Sequence, residues 1–99
     1  NVEKIAATEG LTGIYIGPSD LSVSLGLNPG LDRKEPEVVK AISRILNACK
    51  DNNIVAGIHC LSPDYIKKAY DDGFSFATLG TDIRFFSQIF SAQLSQVGR

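Results

Sequence analysis

The stretch Ile14-Tyr15-Ile16-Gly17-Pro18-Ser19-Asp20-Leu21-Ser22 begins as a short apolar run and ends in a Gly-Pro turn that carries one carboxylate. β-Branched and aromatic residues of this kind favour a strand, and a helix can begin after such a turn. In α/β proteins, ligands bind where parallel strands end. The stretch therefore predicts a strand whose carboxyl end holds Asp20 at a ligand-binding edge.

Two later segments, Ile54–Ile58 and Phe74–Leu79, are also short and apolar, with little alternation. Together with Leu11–Ile16 they predict three strands. Strands that are covered on both faces have this composition, so the pattern favours a parallel sheet. Right-handed βα units then bring all three strand ends to the same edge.

Helical patterns occupy the remaining segments. Pro36 and Pro63 each stand where a first helical turn tolerates proline, and Gly73 is a typical helix stop. The predicted helices run from Val2 to Thr8, from Glu35 to Asn52, from Ser62 to Gly73 and from Asp82 onward, the last with Ile83, Phe86, Ile89, Phe90, Leu94 and Val97 facing inward.

The composition argues against several classes of function. The 99 residues are 43% hydrophobic and carry a formal net charge of -1. This balance gives no electrostatic case for nucleic acid or an anionic membrane, and no apolar run approaches the roughly 20 residues that span a bilayer. Cys49 and Cys60 lack metal-type spacing, so we expect free thiols and a cytoplasmic protein.

Three strands are too few to close a barrel, which takes eight strands and roughly 250 residues. A three-stranded parallel sheet also leaves two edges exposed. We therefore expect residues 1–99 to form a partial domain whose upstream strands come from a longer chain or another subunit.

Asp20 is the strongest candidate for chemistry. It is either a metal ligand or a plain helix N-cap. Pro18 fixes the turn, and Ser22 and Ser24 add polar groups around the carboxylate, which favours the metal. The backbone amides of Gly17 and Ser19 are candidates for holding a carboxylate, with ordinary turn chemistry as the alternative.

His59 is the only histidine and directly follows a strand. It is a candidate general base, metal ligand or hydrogen-bonding pocket residue, against the commoner role of a structural histidine. We expect Asp82 to cap the last helix rather than reach the pocket. Single exposed cations are usually solvated, and we expect this of Arg33, Arg84, Lys67 and Lys68.

Several motifs resemble the metal-ligand region of the HpcH/HpaI aldolase family. They are Gly13 through Ser22, then Ser24-Leu25-Gly26, Ala56-Gly57-Ile58, and Gly73-Phe74 leading to Leu79-Gly80-Thr81-Asp82. The resemblance spans nearly the whole chain. It implies the C-terminal portion, about three βα units, of a TIM (β/α)8 barrel.

The resemblance also implies a function. Asp20 matches one of two carboxylate ligands of Mg, Mn or Co, and Gly17 and Ser19 match the amides that hold the carboxylate of pyruvate. The metal would stabilise the enolate that forms when a 4-hydroxy-2-oxo acid releases an aldehyde. Such substrates include 4-hydroxy-2-oxo-heptanedioate and 2-keto-3-deoxy sugar acids. The resemblance further implies oligomers formed through the last helix, where Phe85, Phe86 and Phe90 suit such packing and would equally suit simple packing on the barrel.

The chain lacks other parts of the family pattern. The second ligand is a glutamate on a strand before Val2, and the early arginine and the His–Asp pair also precede this region. Glu3 and Glu9 are poor substitutes for that glutamate. We therefore expect the 99 residues alone to be inactive.

Two alternatives stay open. One is a citrate lyase β-like or malyl-CoA lyase that acts on CoA esters, although the Gly-Pro-Ser-Asp-Leu-Ser form fits the aldolases better. The other is a non-catalytic α/β fragment that survives as an oligomerising module.

Overall fold

A computed structural model describes residues 1–98 as alternating helices and strands. The elements, in chain order, are α1 (Val2–Ala6), β1 (Gly13–Ile16), α2 (Pro18–Ser24), α3 (Pro36–Asp51), β2 (Val55–Cys60), α4 (Pro63–Asp72), β3 (Phe76–Leu79) and α5 (Asp82–Val97).

The three strands form one parallel sheet in the order β1-β2-β3. Ile16 is paired with Ile58 at the end of β1, and His59 is paired with Thr78 between β2 and β3. The predicted parallel sheet is confirmed. All three carboxyl ends lie at one edge, because the strands are parallel.

Helices α3 and α4 cover one face of the sheet. Val38 and Cys49 from α3 are fully buried against Ile58 and Cys60 of β2. Ala69 of α4 completes this side of the core. Both cysteines are free thiols, as expected.

The helix starts and stops follow local chemistry. Proline occupies the first turn of α2, α3 and α4 because its missing N–H has no intrahelical partner there. Ser62 caps α4 by accepting a hydrogen bond from the Tyr65 amide at 3.2 Å. Gly73 ends that helix in the left-handed region at φ 113°, as its sequence position predicts.

The expectation that both faces of the sheet are covered is wrong for the described residues. Tyr15, Val55 and Phe76 project from the face opposite the helices and are 38–49% exposed. The connections place α3 and α4 on the same side. We call the uncovered side the open face.

The expectation that the apolar residues of α5 face inward is also wrong within residues 1–98. Ile83, Phe86 and Ile89 are each at least 64% exposed, and Phe90, Leu94 and Val97 are exposed as well. The helix follows edge strand β3, and the described residues contain no later strand for it to cover. The molecule is therefore elongated, 56 Å along its longest axis, with a radius of gyration of 16.1 Å against the roughly 13 Å of a compact domain this size.

Within the described residues, no helix is both long and apolar enough to cross a membrane.

Candidate active-site edge

The first turn of α2 places the Asp20 carboxylate close to the carboxyl end of β1. Gly17 is the N-cap of α2, Pro18 opens the helix, and Asp20 is its third residue. The Asp20 Oδ2 atom lies 3.5 Å from the position that a Cβ on Gly17 would occupy. Gly17 has extended dihedral angles, so a Cβ on Gly17 would point to the same face of the sheet as the side chain of Tyr15, two residues earlier. The carboxylate therefore lies at the carboxyl edge of the open face.

Asp20 is not the N-cap of α2, because Gly17 holds that position and has no side chain to cap with. The Asp20 side chain is exposed. None of the three ion pairs found within residues 1–98 includes it. This carboxylate is therefore accessible to a ligand.

Ser22 and Ser24 bond to the backbone of their own helix. The buried Ser22 hydroxyl donates to the Pro18 carbonyl at 2.6 Å, and Ser24 donates to the Leu21 carbonyl at 2.7 Å. The first bond spans the first turn of α2 and the second spans its last turn. The two serines stabilise the segment that carries Asp20 rather than adding ligands beside it.

His59 is part of a hydrogen-bonded chain that crosses all three strands. Its Nδ1 atom is 2.7 Å from Thr78 Oγ1, which is 2.5 Å from the Tyr15 hydroxyl oxygen. Each of the three is the penultimate residue of its strand. Their side chains share the open face because Tyr15 is registered with Gly57, and His59 follows Gly57 by two residues and is registered with Thr78. We call this set the polar chain.

The polar chain was not predicted, because its three members are far apart in sequence. One signal was available. Each of the three predicted strands carries a hydrogen-bonding side chain close to its carboxyl end. His59 and Thr78 are registered with each other, whereas Tyr15 is registered with Gly57 and reaches Thr78 diagonally across the open face.

An aromatic pair lies next to the polar chain, toward the amino ends of the strands. Tyr15 and Phe76 stack with ring centroids 5.5 Å apart and planes 10° from parallel. Both residues are registered with Gly57 of β2. A Cβ at Gly57 would collide with the Phe76 ring, so glycine makes room for the stack. The pair gives the open face an apolar floor beneath its polar edge.

The loop before α3 is fastened to the end of β2. Asp32 adopts a left-handed conformation at φ 51°, and its Oδ1 accepts a hydrogen bond from the Leu61 amide at 2.7 Å. Burial, with a smaller effect of the Asp32 carboxylate, raises the pKa of the Cys60 thiol to about 11. No local sequence pattern predicts this contact, because Asp32 and Leu61 are 29 residues apart.

The remaining charged candidates have local roles. Thr81, not Asp82, is the N-cap of α5, and its hydroxyl accepts from the Arg84 amide at 3.3 Å. Asp82 Oδ1 accepts from the next amide in the same turn. Arg33 pairs with Glu35 at 2.7 Å, and Lys68 pairs with Asp72 at 2.8 Å.

The described residues do not form a metal site by themselves. No group of three or more His, Cys, Asp or Glu side chains within residues 1–98 is placed to hold a metal ion. Asp20 supplies one carboxylate, whereas hard divalent cations take six or more oxygen ligands. The oxygen donor fits such a cation in type, and the set is incomplete.

The parallel βα units, with polar groups gathered at their carboxyl ends, define a segment of a (β/α)8-barrel enzyme. The chain belongs to the HpcH/HpaI aldolase/citrate lyase family, whose model matches residues 1–88. The expected fold class and family are confirmed.

Curated relatives are aldolases. The chain is 38% identical over 96 residues to the hydroxypyruvate/pyruvate aldolase of Paraburkholderia phytofirmans, covering 97% of this chain and 36% of that protein. It is 37% identical over 86 residues to the 5-keto-4-deoxy-D-glucarate aldolase of Klebsiella pneumoniae, covering 87% and 33%. The chain thus spans about a third of the length of these relatives.

Solved structures superimpose on nearly the whole chain. A HpcH/HpaI aldolase/citrate lyase family protein from Burkholderia cenocepacia superimposes with a TM-score of 0.87 at 30% identity, over 99% of this chain and 37% of that one. The citrate synthase SbnG superimposes with a TM-score of 0.86 at 25% identity, over 98% and 39%.

Proposed function

We propose that the protein acts as part of a metal-dependent aldolase that makes or cleaves carbon–carbon bonds of 4-hydroxy-2-oxo acids. The 2-oxo acid released or used is pyruvate or hydroxypyruvate, and the second product or substrate is an aldehyde. The position of the Asp20 carboxylate over Gly17, at the carboxyl end of a parallel strand, carries the proposal.

Asp20 is the proposed metal ligand. Its carboxylate is exposed and makes no ion pair within the described residues, so one hard oxygen donor is available to Mg, Mn or Co. A divalent cation at this edge supplies Lewis acidity to the 2-oxo group of the substrate. Further ligands come from outside residues 1–98.

Gly17 and Ser19 are the proposed partners of the substrate carboxylate. The first amides of a helix have no intrahelical acceptor, and Gly17 provides no side-chain cap that occupies them. The missing Cβ of Gly17 leaves room beneath Asp20. A carboxylate bound there lies beside the Asp20 oxygen, the geometry that a metal chelated by a 2-oxo acid needs.

A CoA-ester lyase remains the alternative, because the family description includes citrate lyase. The curated relatives are named as aldolases of pyruvate, hydroxypyruvate and a keto-deoxy sugar acid, which favours the aldolase. Cleavage of malyl-CoA but not of 4-hydroxy-2-oxo acids would favour the CoA-ester lyase over the aldolase.

The test is calorimetric titration of Mg or Mn, with and without pyruvate, into the natural full-length polypeptide that contains residues 1–99. We expect pyruvate to bind only with metal, and Asp20→Ala to abolish that binding. Asp64→Ala is the matched control, because Asp64 is an exposed first-turn carboxylate of α4. Binding that is unchanged in Asp20→Ala would reduce Asp20 to a structural residue.

A further inference from the structure

We propose that the polar chain of His59, Thr78 and Tyr15 lines the pocket that binds the 2-oxo acid and selects a hydroxylated 2-oxo acid over its deoxy analogue. We call the chain in this role the specificity wall. His59 is the residue that contacts the substrate, and Thr78 and Tyr15 are positioning residues. The inference rests on the proposed function, because the proposed function places the carboxylate of the 2-oxo acid at Gly17.

His59 lies next to the proposed carboxylate site. The last registered pair between β1 and β2 is Ile16 with Ile58, so the following residues, Gly17 and His59, are neighbours across the two strands. Both share the open face with Tyr15. C3 of a three-carbon 2-oxo acid is only two bonds from its carboxylate carbon. An acid held at Gly17 therefore brings C3 close to the adjacent strand.

The hydrogen bonds of the polar chain restrict the proton positions on His59. Thr78 has one proton to donate. If it donates to Nδ1, the neutral ring carries its proton on Nε2 and Thr78 accepts from the Tyr15 hydroxyl. If Nδ1–H donates to Thr78, the Thr78 proton goes to Tyr15 and Nε2 is an acceptor. The two distances, 2.7 and 2.5 Å, fit either arrangement.

In both arrangements the neutral chain presents one donor at one end and one acceptor at the other. A hydroxyl group both donates and accepts, so it can bond to Nε2 of His59 in either arrangement. A methyl group can do neither. Placed against the chain, it would leave a polar atom without a partner, which is costly in a site closed to water.

The surroundings sharpen this preference. The stacked rings of Tyr15 and Phe76 form an apolar floor beside the chain, so the chain is the only cluster of side-chain hydrogen-bonding groups that the described part of the sheet offers on its open face. Pyruvate and hydroxypyruvate differ only by a hydroxyl on C3. They are therefore the probes that isolate the contribution of the wall.

The experiment measures the dissociation constants of both acids, with Mg present, for the natural full-length polypeptide and its variants. We expect the wild type to bind hydroxypyruvate more tightly. We expect Thr78→Val, Tyr15→Phe and His59→Leu each to reduce the ratio of the two affinities about tenfold, the scale of one hydrogen bond. Thr78→Ser, which keeps the hydroxyl, should restore the preference.

Matched controls make the same chemical changes elsewhere. Thr12→Val alters an exposed threonine near the other end of β1, and Tyr70→Phe alters an exposed tyrosine on α4. Both should leave the preference unchanged. Pyruvate binding that still requires metal shows that a variant has kept its fold and its metal.

The outcomes separate the two proposals. Tight pyruvate binding with no preference for hydroxypyruvate, or a preference that survives in Thr78→Val and Tyr15→Phe, overturns the specificity wall and leaves the aldolase proposal standing. Failure of the wild type to bind either acid in the presence of metal overturns both.

Discussion

Tyr15 and Phe76, from the two outer strands of the sheet, stack over Gly57 of the middle strand with their ring centroids 5.5 Å apart. The contact joins β1 to β3 across a residue without a side chain. It also leaves the Tyr15 hydroxyl free to meet Thr78. One ring thus contributes its face to the floor of the open side and its hydroxyl to the polar chain.

Gly57→Ala should break this stack. The added methyl collides with the Phe76 ring, and relieving that contact moves the ring from Tyr15. We expect a loss of about 1–2 kcal/mol in the free energy of unfolding, in the range of overpacked sites, measured by denaturant titration of the natural polypeptide. Phe76→Ala should remove most of that cost in the double variant. If the losses in unfolding free energy of the two single variants simply add in the double variant, the collision is not the cause.

Asp32 should stabilise the end of β2 in two separable ways. Asp32→Ala loses both the acceptor for the Leu61 amide and a residue that tolerates φ 51°, so we expect a cost of about 2 kcal/mol. Asp32→Gly keeps the conformation and loses only the acceptor, and Asp32→Asn keeps both. The expected order of unfolding midpoints is wild type, then Asn, Gly and Ala. A Gly variant as stable as the Asn variant would show that the hydrogen bond contributes nothing.

Acid should loosen α1 from α3. Arg44 donates through Nε and Nη2 to the two carboxylate oxygens of Glu3 at 2.7 and 2.8 Å, which lowers the pKa of Glu3 from 4.5 to about 2. A lowered pKa in the folded state means that the stabilisation is present above pH 4.5 and is lost as the pH falls toward 2. The protection of the α1 amides, which is the factor by which they exchange more slowly than in an unstructured chain at the same pH, should decrease as the pH falls through that window.

The control for the acid effect is Glu3→Gln, which has no charge to titrate. The protection of its α1 amides should not decrease as the pH falls through that window. A decrease of equal size in the Gln variant would assign the effect to other carboxylates.

The isolated 99-residue chain should not catalyse aldol cleavage. Within residues 1–98 the open face carries one candidate carboxylate ligand at its edge, and no group of three metal-binding side chains exists. Pyruvate release from a 4-hydroxy-2-oxo acid, followed spectrophotometrically with Mg or Mn, should stay at the background rate. Release by the purified chain that disappears in Asp20→Ala would refute this prediction.

Local signals in the sequence were sufficient to predict most of the fold. Pro36, Pro63 and Gly73 mark helix ends through backbone chemistry that needs no tertiary information, and the structure places them there. The three strands and their parallel order were also predicted. The predicted boundaries differ from the observed ones by up to two residues, because strand ends depend on pairing partners.

Tertiary relationships were harder to predict. The apolar stripe of α5 correctly shows an amphipathic helix, but a stripe does not say what covers it, so residues such as Phe86 were wrongly placed inside. Asp20 was correctly placed at a strand end, while its position over Gly17 needed coordinates. The roles of Gly17, Ser19 and Asp20 in binding stay predictions.

The unequal lengths of the two strand connections set an order of assembly. Residues 61–75 join β2 to β3 through one short helix, whereas residues 17–54 separate β1 from β2. Closing the shorter connection costs less chain entropy, so we expect the β2–α4–β3 unit to form before β1 pairs with β2. Tyr15 and Asp20 then arrive together with β1. On this order the polar chain and the carboxylate edge are completed by the same pairing step, after most of the helix-covered side has formed.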